Sequence, residues 1–184
     1  MKMTRGALLA SLLAVALSAV AGPLKTDPAK STVSAVFRQM NVPVESQFKK
    51  FLVQIDYDAA KPELSKANVQ IDTASLDLGG DDMNKEVAKK DWFNAPQFPK
   101  ATFVSSAIKA SGPGKLNVSG KLTIKGKSTD VAFPMTVRTD AGKQVFEGAL
   151  PIKRLTYAIG EGEWKDTSLV ADEVIIKFRV TAGQ

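Results

Sequence analysis

Apolar and polar residues alternate with a period of two along most of the chain from Ser31 onward. In the run Lys115–Ile124, every even position except Gly120 is apolar and every odd position is polar. Successive side chains of a strand point to opposite faces, so this pattern predicts a strand with one buried face. By the same criterion we predict roughly eight strands, near 33–38, 45–57, 66–71, 101–108, 115–124, 131–137, 144–155 and 174–180.

Short segments rich in turn-forming residues separate these runs. Three of them, 111–114, 125–128 and 139–142, each contain glycine and lie between two alternating runs. Such segments are typical of hairpin loops, and consecutive hairpins produce antiparallel neighbours. The fold class predicted from the pattern is therefore all-β, an antiparallel sandwich or barrel.

One segment, 81–90, lacks the alternation. It begins with Asp81 and Asp82 and ends with two lysines, and these charges suit the two ends of a helix dipole. We predict one short α-helix here, packed on the sheet through Met83 and Val87.

The first 21 residues have the composition of a secretory signal. Lys2 and Arg5 precede an apolar run at 7–20, which ends in small residues. A retained membrane anchor is the alternative, but the run is shorter than the roughly 20 apolar residues that span a bilayer. We predict a cleavable signal peptide at 1–21, a single mature domain at 22–184, and export from the cytoplasm.

Composition removes several classes of chemistry. The chain of 184 residues contains no cysteine and no histidine. Disulfides, thiolate metal sites and mechanisms that need an imidazole are therefore excluded. The formal net charge is +6, but the lysines are scattered among acids and form no basic stripe. We predict no nucleic-acid partner, no metal and no cofactor.

The remaining polar motifs favour structural roles. The aspartates around Gly79 and Gly80 lack the spacing of a calcium loop and suit a helix start. Residues 126–128 lie between two predicted strands, which favours a hairpin turn over a phosphate-binding loop. Nothing in the spacing of the other acids singles out a catalytic pair, although an enzyme acting on a lipid or glycan would draw on Glu161, Glu163 and Asp166.

The large apolar residues leave one question open. A barrel of about eight strands is just wide enough either to fill with side chains or to hold one small ligand. Composition does not distinguish a packed core from a lined cavity.

Several runs resemble the YceI-like family of bacterial periplasmic proteins, which are lipocalin-like and bind polyisoprenoids. The runs that carry the resemblance lie at 31–37, 48–51, 55–58, 69–76, 91–103 and 118–126. The chain departs from the family at Asp81–Val87, where many members carry an arginine and a histidine.

The resemblance implies a lipocalin-like antiparallel barrel, with a helix over one part, that encloses a long apolar tunnel. The expected ligand is an isoprenoid lipid or quinone, the expected location is the periplasm, and no catalytic residue is required. Arg154 is the candidate headgroup contact, because its segment resembles an arginine-aromatic-glycine stretch of the family and an arginine fork suits phosphate. The expected tunnel lining consists of Phe37, Phe51, Ile71, Phe103, Leu122, Phe133, Met135, Ile176 and Phe178.

Other interpretations stay open on the sequence. The barrel of an interaction module would be filled, and its partners would be membrane redox proteins in a stress response. Transient contact with a membrane surface and a homodimer are further partner hypotheses.

Overall fold

The computed structural model describes residues 23–183, which form eleven β-strands and one α-helix. The strands are β1 (Lys25–Thr26), β2 (Thr32–Gln39), β3 (Val42–Phe48), β4 (Phe51–Asp56), β5 (Lys66–Asp72), β6 (Leu76–Asp77), β7 (Lys100–Gly112), β8 (Lys115–Ile124), β9 (Lys127–Asp140), β10 (Lys143–Lys153) and β11 (Val170–Gly183). The helix, α1, is Asp81–Val87. Short 3-10 helices occupy Pro28–Lys30, Pro62–Leu64, Thr73–Ser75, Arg154–Tyr157 and Gly162–Lys165. No helix in this range is both long and apolar enough to span a bilayer.

All strands belong to one antiparallel sheet that curls around a shared interior. The strand order is β4, β5, β7, β8, β9, β10, β11, β2, β3, β6, and β1 pairs with the C-terminal part of β11. The predicted all-β antiparallel fold with one short helix is thus confirmed. The alternating pattern has the expected consequence in β8, where Leu116, Val118, Leu122 and Ile124 are all buried.

The sheet closes on itself at one end. There, β1 lies beside β11, and the Leu24 N–H donates to the Ile55 carbonyl of β4 over 2.7 Å. Leu24 packs against a buried cluster that includes Phe146 and Val180. At the other end, β2, β3 and β6 continue the sheet, and α1 and the segment that follows it pack inside them through Val87.

The structure has three more strands than the pattern predicted. Two of them, β1 and β6, have two residues each, too few to produce a readable alternation. The third arises because the predicted strand 45–57 is divided at Lys49 and Lys50. Their N–H groups donate to the carbonyl and the hydroxyl of Ser75, at 2.9 and 3.1 Å, so the chain turns a corner between β3 and β4.

The helix is shorter than predicted and packs through one of the two expected residues. Its N-cap is Gly80, which has no side chain, so the aspartates at 81 and 82 lie in the first turn and do not cap it with a hydrogen bond. Lys89 and Lys90 lie beyond its last residue. Val87 is buried, whereas Met83 is 51% exposed, which corrects the expectation that both side chains are packed.

The predicted hairpin at 125–128 is confirmed. Lys125 and Gly126 both have positive φ angles, 48° and 73°, and directly connect β8 with β9. This is a two-residue hairpin turn that matches the twist of the flanking strands. The predicted signal peptide lies outside the described residues.

Candidate ligand-binding site

The curled sheet encloses two neighbouring compartments. The smaller, of about 130 Å³, lies between the central strands and the closed end. Its wall contains no charged side chain from residues 23–183, and its polar members are Tyr57, Ser65 and Thr102. A chain segment bound here would meet almost only hydrocarbon and aromatic surface.

The larger compartment, of about 420 Å³, lies between the sheet and α1. This volume falls within the roughly 300–1,000 Å³ of typical small-molecule pockets. Two of its wall residues, Gln39 and Met83, are exposed, so the compartment reaches the surface between the end of β2 and α1. We call this opening the mouth.

The two compartments share part of their walls. They share five apolar wall residues, which are Val33, Ile71, Ala101, Leu122 and Ile176. Since the same side chains face both spaces, the compartments adjoin at these five residues. Together they form an apolar path from the mouth toward the closed end of the barrel.

Nine of the ten residues predicted for the site lie in these walls. Seven line the smaller compartment: Ile71, Phe103, Leu122, Phe133, Met135, Ile176 and Phe178. Phe37 and Arg154 line the larger one. The exception is Phe51, the first residue of β4, which packs against the buried clusters beside the corner and lines neither compartment.

Three phenylalanine rings make a continuous aromatic contact in the smaller compartment. The Phe133 ring packs against Phe103 with centroids 5.5 Å apart and against Phe178 with centroids 5.7 Å apart, both in edge-to-face geometry. Two glycines make room for them on the sheet. A Cβ atom at Gly120 would collide with the Phe103 ring, and a Cβ atom at Gly148 would collide with the Phe178 ring.

Sequence reasoning missed most of the wall of the larger compartment. Its irregular segments contribute Trp92 and Phe93, which follow α1, and Ile159 and Trp164, which follow β10. These segments have no regular period that assigns a buried face. The available signal was the density of aromatic residues within 91–103. It contributed to the family resemblance but did not mark these side chains as part of a wall.

Arg154 has a different role from the one predicted. Its side chain is buried, and all five of its N–H groups donate to backbone carbonyls. The acceptors are Ala171 at 3.1 Å, Ile159 at 2.8 Å, Gly160 at 3.1 Å, Trp164 at 2.7 Å and Val170 at 2.6 Å. No N–H of Arg154 is left for a headgroup. The side chain therefore holds the irregular segment after β10 against β11.

The charge of Arg154 is balanced mainly by these carbonyl dipoles. Burial lowers the pKa of the guanidinium, and the negative charge of Asp172 opposes that shift. Gly160 has a φ of 78° and lies directly against the guanidinium, where a larger residue would collide with it. The position of the Arg154 guanidinium therefore requires a glycine at 160.

Lys125 ties the two irregular segments to the β8–β9 hairpin. Its Nζ donates to the carbonyls of Lys90 and Ala158, both at 2.7 Å, and to the Glu161 carboxylate at 3.0 Å. The hydrogen bond from Lys125 lowers the pKa of Glu161. A general acid needs the opposite shift, so the geometry gives Glu161 a structural task.

Two other acids considered from the sequence, Asp77 and Asp166, are engaged in turns. Asp166 accepts from the N–H and the hydroxyl of Ser168, and these hydrogen bonds lower its pKa. Asp77 accepts from the Gly79 N–H and pairs with Lys49 at 3.4 Å. Within residues 23–183, no three histidine, cysteine, aspartate or glutamate side chains are grouped to hold a metal ion.

Comparison with known proteins identifies the chain. The model of the YceI-like domain matches residues 24–182, nearly the whole described range. The chain belongs to the YceI-like family. This confirms the resemblance carried by the sequence motifs.

Solved structures share the fold over most of this YceI-like chain. BcnA of Burkholderia cenocepacia is 56% identical with a TM-score of 0.84, covering 86% of this chain and 99% of BcnA. The Campylobacter jejuni YceI protein is 25% identical with a TM-score of 0.70, covering 76% and 84%. A polyisoprenoid binding domain from Saccharophagus degradans, implicated in plant cell wall breakdown, shares the fold at 19% identity and a TM-score of 0.68, covering 88% and 97%.

Curated relatives match over a shorter region. A UPF0312 protein of Pseudomonas savastanoi is 34% identical over 105 residues, which is 57% of this chain and 54% of the relative. One from Shewanella baltica is 34% identical over 90 residues, 49% of this chain and 47% of the relative. The match spans about half the length of these curated relatives.

Proposed function

We propose that this YceI-like protein binds an isoprenoid lipid, of polyprenyl or isoprenoid-quinone type, and carries or sequesters it without chemical change in the periplasm. The observation that carries the proposal is the apolar path formed by the two compartments. The polyisoprenoid binding domain of Saccharophagus degradans has the same fold, which is consistent with it.

The energetics favour a long apolar tail. Burial contributes about 0.8 kcal/mol for each CH₂ group removed from water, so each five-carbon isoprene unit contributes several kcal/mol. Such a tail is nearly insoluble in water. The uncharged wall of the smaller compartment holds it by the apolar area buried, and no catalytic residue is needed.

The test narrows the interior at the boundary where the two compartments meet. Ala101 faces both compartments, whereas Val104 on the same strand is 50% exposed on the outer face. We expect Ala101→Phe to abolish uptake of an isoprenoid quinone, measured by native mass spectrometry and fluorescence titration, and Val104→Phe to leave it unchanged. Thermal unfolding checks that both variants fold, and Ala101→Val provides a milder block.

Lipid extraction from protein purified from its own host complements the variants. Repeated recovery without bound lipid, together with no quinone uptake by the wild-type protein, would overturn the proposal. Equal uptake by the wild-type protein and a folded Ala101→Phe variant would also contradict binding along this path.

We further propose that lipid enters and leaves through the mouth while it contacts a membrane surface. Met40 and Val42, at the β2–β3 turn, are 66% and 61% exposed, and the Met40 N–H bonds the carbonyl of exposed Leu169 at 2.8 Å. Exposed apolar residues beside the opening suit contact with lipid.

We expect the double variant Met40→Ser, Val42→Ser to slow quinone transfer from vesicles. Leu52→Ser, on β4, is the control and should leave the transfer rate unchanged. Equal transfer rates for the double variant and the wild-type protein would refute this route.

A further inference from the structure

Trp92 carries an unpaired hydrogen-bond donor in the wall of the larger compartment. Within residues 23–183, its Nε1 is the one buried side-chain nitrogen or oxygen that has no hydrogen-bond partner. Buried polar groups in folded proteins are nearly always paired, because an unpaired one loses its bond to water without replacement. This donor therefore needs an explanation.

The ring of Trp92 is held so that it does not swing its nitrogen out to water. Its centroid lies 5.3 Å from that of Trp164, and the Cζ atom of Arg154 lies 6.0 Å from the ring centroid. Its backbone N–H donates to the Lys89 carbonyl at 3.1 Å. The ring thus stays in the compartment wall, with its nitrogen buried behind the free space.

Among residues 23–183, no cation in the same wall is free for an anion. The polar wall residues besides the two tryptophans are Gln39, Glu86 and Arg154. Every N–H of Arg154 already donates to a carbonyl, and Glu86 adds a negative charge that Lys89 balances. A diphosphate placed here would lose its water shell without gaining a positive partner, which is strongly unfavourable.

We propose that Trp92 Nε1 donates a hydrogen bond to a neutral oxygen of the ligand headgroup, a carbonyl or a hydroxyl, and so selects it over a phosphorylated one. This inference rests on the proposed function and assigns the headgroup end of that site. The nitrogen is shielded from the free space of the compartment, so the headgroup must part the surrounding side chains to reach it.

The first test separates hydrogen bonding from packing. We would compare Trp92→Phe with Trp164→Phe, a control that removes a neighbouring indole of the same wall. The probes are an isoprenoid quinone, a polyprenyl diphosphate of equal tail length and an oxygen-free isoprenoid hydrocarbon such as squalene.

We expect Trp92→Phe to weaken quinone binding about fivefold to tenfold, the effect of one neutral hydrogen bond, and squalene binding less than about twofold. Trp164→Phe should affect both probes alike, and the wild-type protein should bind the diphosphate more weakly than the quinone. Equal losses for quinone and squalene in Trp92→Phe, or tighter binding of the diphosphate, would overturn the inference.

The second test uses the wild-type protein and needs no variant to fold. The chain has two tryptophans, so ¹⁵N labelling gives two indole N–H resonances. We expect quinone to shift one of them downfield by hydrogen bonding, and squalene not to do so. Equal shifts with both probes would show that the shift does not come from a hydrogen bond to the headgroup and would overturn the inference. Failure of all probes to bind would overturn the proposed function as well.

Discussion

At the scale of single residues, Arg154 is the clearest case of a side chain that builds the wall of the site. It is 2% exposed and gathers five carbonyls from the segment after β10 and from the start of β11. Three of those hydrogen bonds, to Ile159, Gly160 and Val170, are fully buried, so removal of the guanidinium leaves their carbonyls without a partner. Arg154 therefore contributes to the stability of the fold and fixes this part of the wall of the larger compartment.

We expect Arg154→Met to lower the free energy of unfolding by about 3–5 kcal/mol, because it leaves several buried carbonyls unpaired. Urea denaturation followed by circular dichroism measures the loss. Arg38→Met is the control, since Arg38 is exposed and, within the described part of the chain, its side chain donates only to the Asn41 carbonyl, at 3.0 Å. A loss below about 1 kcal/mol in Arg154→Met would contradict this structural role.

The ion pair between Glu161 and Lys125 leads us to expect that stability falls in acid. Lys125 lowers the pKa of this carboxyl below its ordinary value of 4.5. The ion pair therefore stabilises the folded state above that value, and the stabilisation is lost as the pH falls through the lower folded pKa.

We expect unfolding stability between about pH 6 and about pH 3 to fall less steeply in Glu161→Gln than in the wild-type protein. Glu173→Gln removes an equal charge from an exposed position of β11 and should follow the wild-type curve. Denaturant midpoints at several pH values give the comparison. Parallel curves for Glu161→Gln and the wild type would show that the pair with Lys125 does not contribute.

At the scale of elements, glycines within strands set the shape of the interior. Gly148 of β10 is paired with Phe178 of β11, whose ring lies over it. The sheet can therefore present a flat aromatic ring to the smaller compartment without losing a backbone pair. An alanine here would occupy the place of the ring.

We expect Gly148→Ala to cost about 1–3 kcal/mol of stability and to weaken lipid uptake, because Phe178 is displaced into the smaller compartment. Ala149→Ser, at the next and exposed position of β10, is the matched control and should change neither property. Thermal unfolding and quinone titration provide the two readouts. Unchanged quinone affinity in a destabilised Gly148→Ala protein would show that the position of the Phe178 ring does not affect ligand binding.

At the scale of the whole molecule, the segment from Leu24 to Thr26 closes the barrel. It connects the C-terminal strand β11 with β4, two elements that are far apart in sequence. Leu24 is half-buried against the apolar cluster at that end. Closure keeps the inner end of the apolar path away from water.

We expect Leu24→Asp to lower unfolding stability by about 2–3 kcal/mol and to increase binding of a hydrophobic dye, because a charge placed at this seam separates β1 from β4. Leu64→Asp, at a position that is 59% exposed, is the control. Dye fluorescence and urea denaturation measure the two effects. Wild-type behaviour of Leu24→Asp would show that the seam does not hold the barrel closed.

The sequence by itself determined the strand pattern, the buried faces and the family. Period-two alternation is a local property, because each side chain's face follows from its position along its own strand. For this reason seven of the nine predicted apolar site residues, all except Phe37 and Phe51, lie in the wall of the smaller compartment. Motif resemblance then indicated the class of ligand that such an interior accepts.

Only the tertiary structure decided the polar end of the site. The irregular segments around Trp92 and Trp164 have no period, so their inward faces depend on contacts with distant elements such as Lys125. Whether Arg154 has a free N–H also depends on where carbonyls from β11 arrive. Which donors find an acceptor is decided by the packing of the whole molecule. In this packing every N–H of Arg154 is paired, so the expected headgroup contact is lost, whereas the indole N–H of Trp92 stays unpaired.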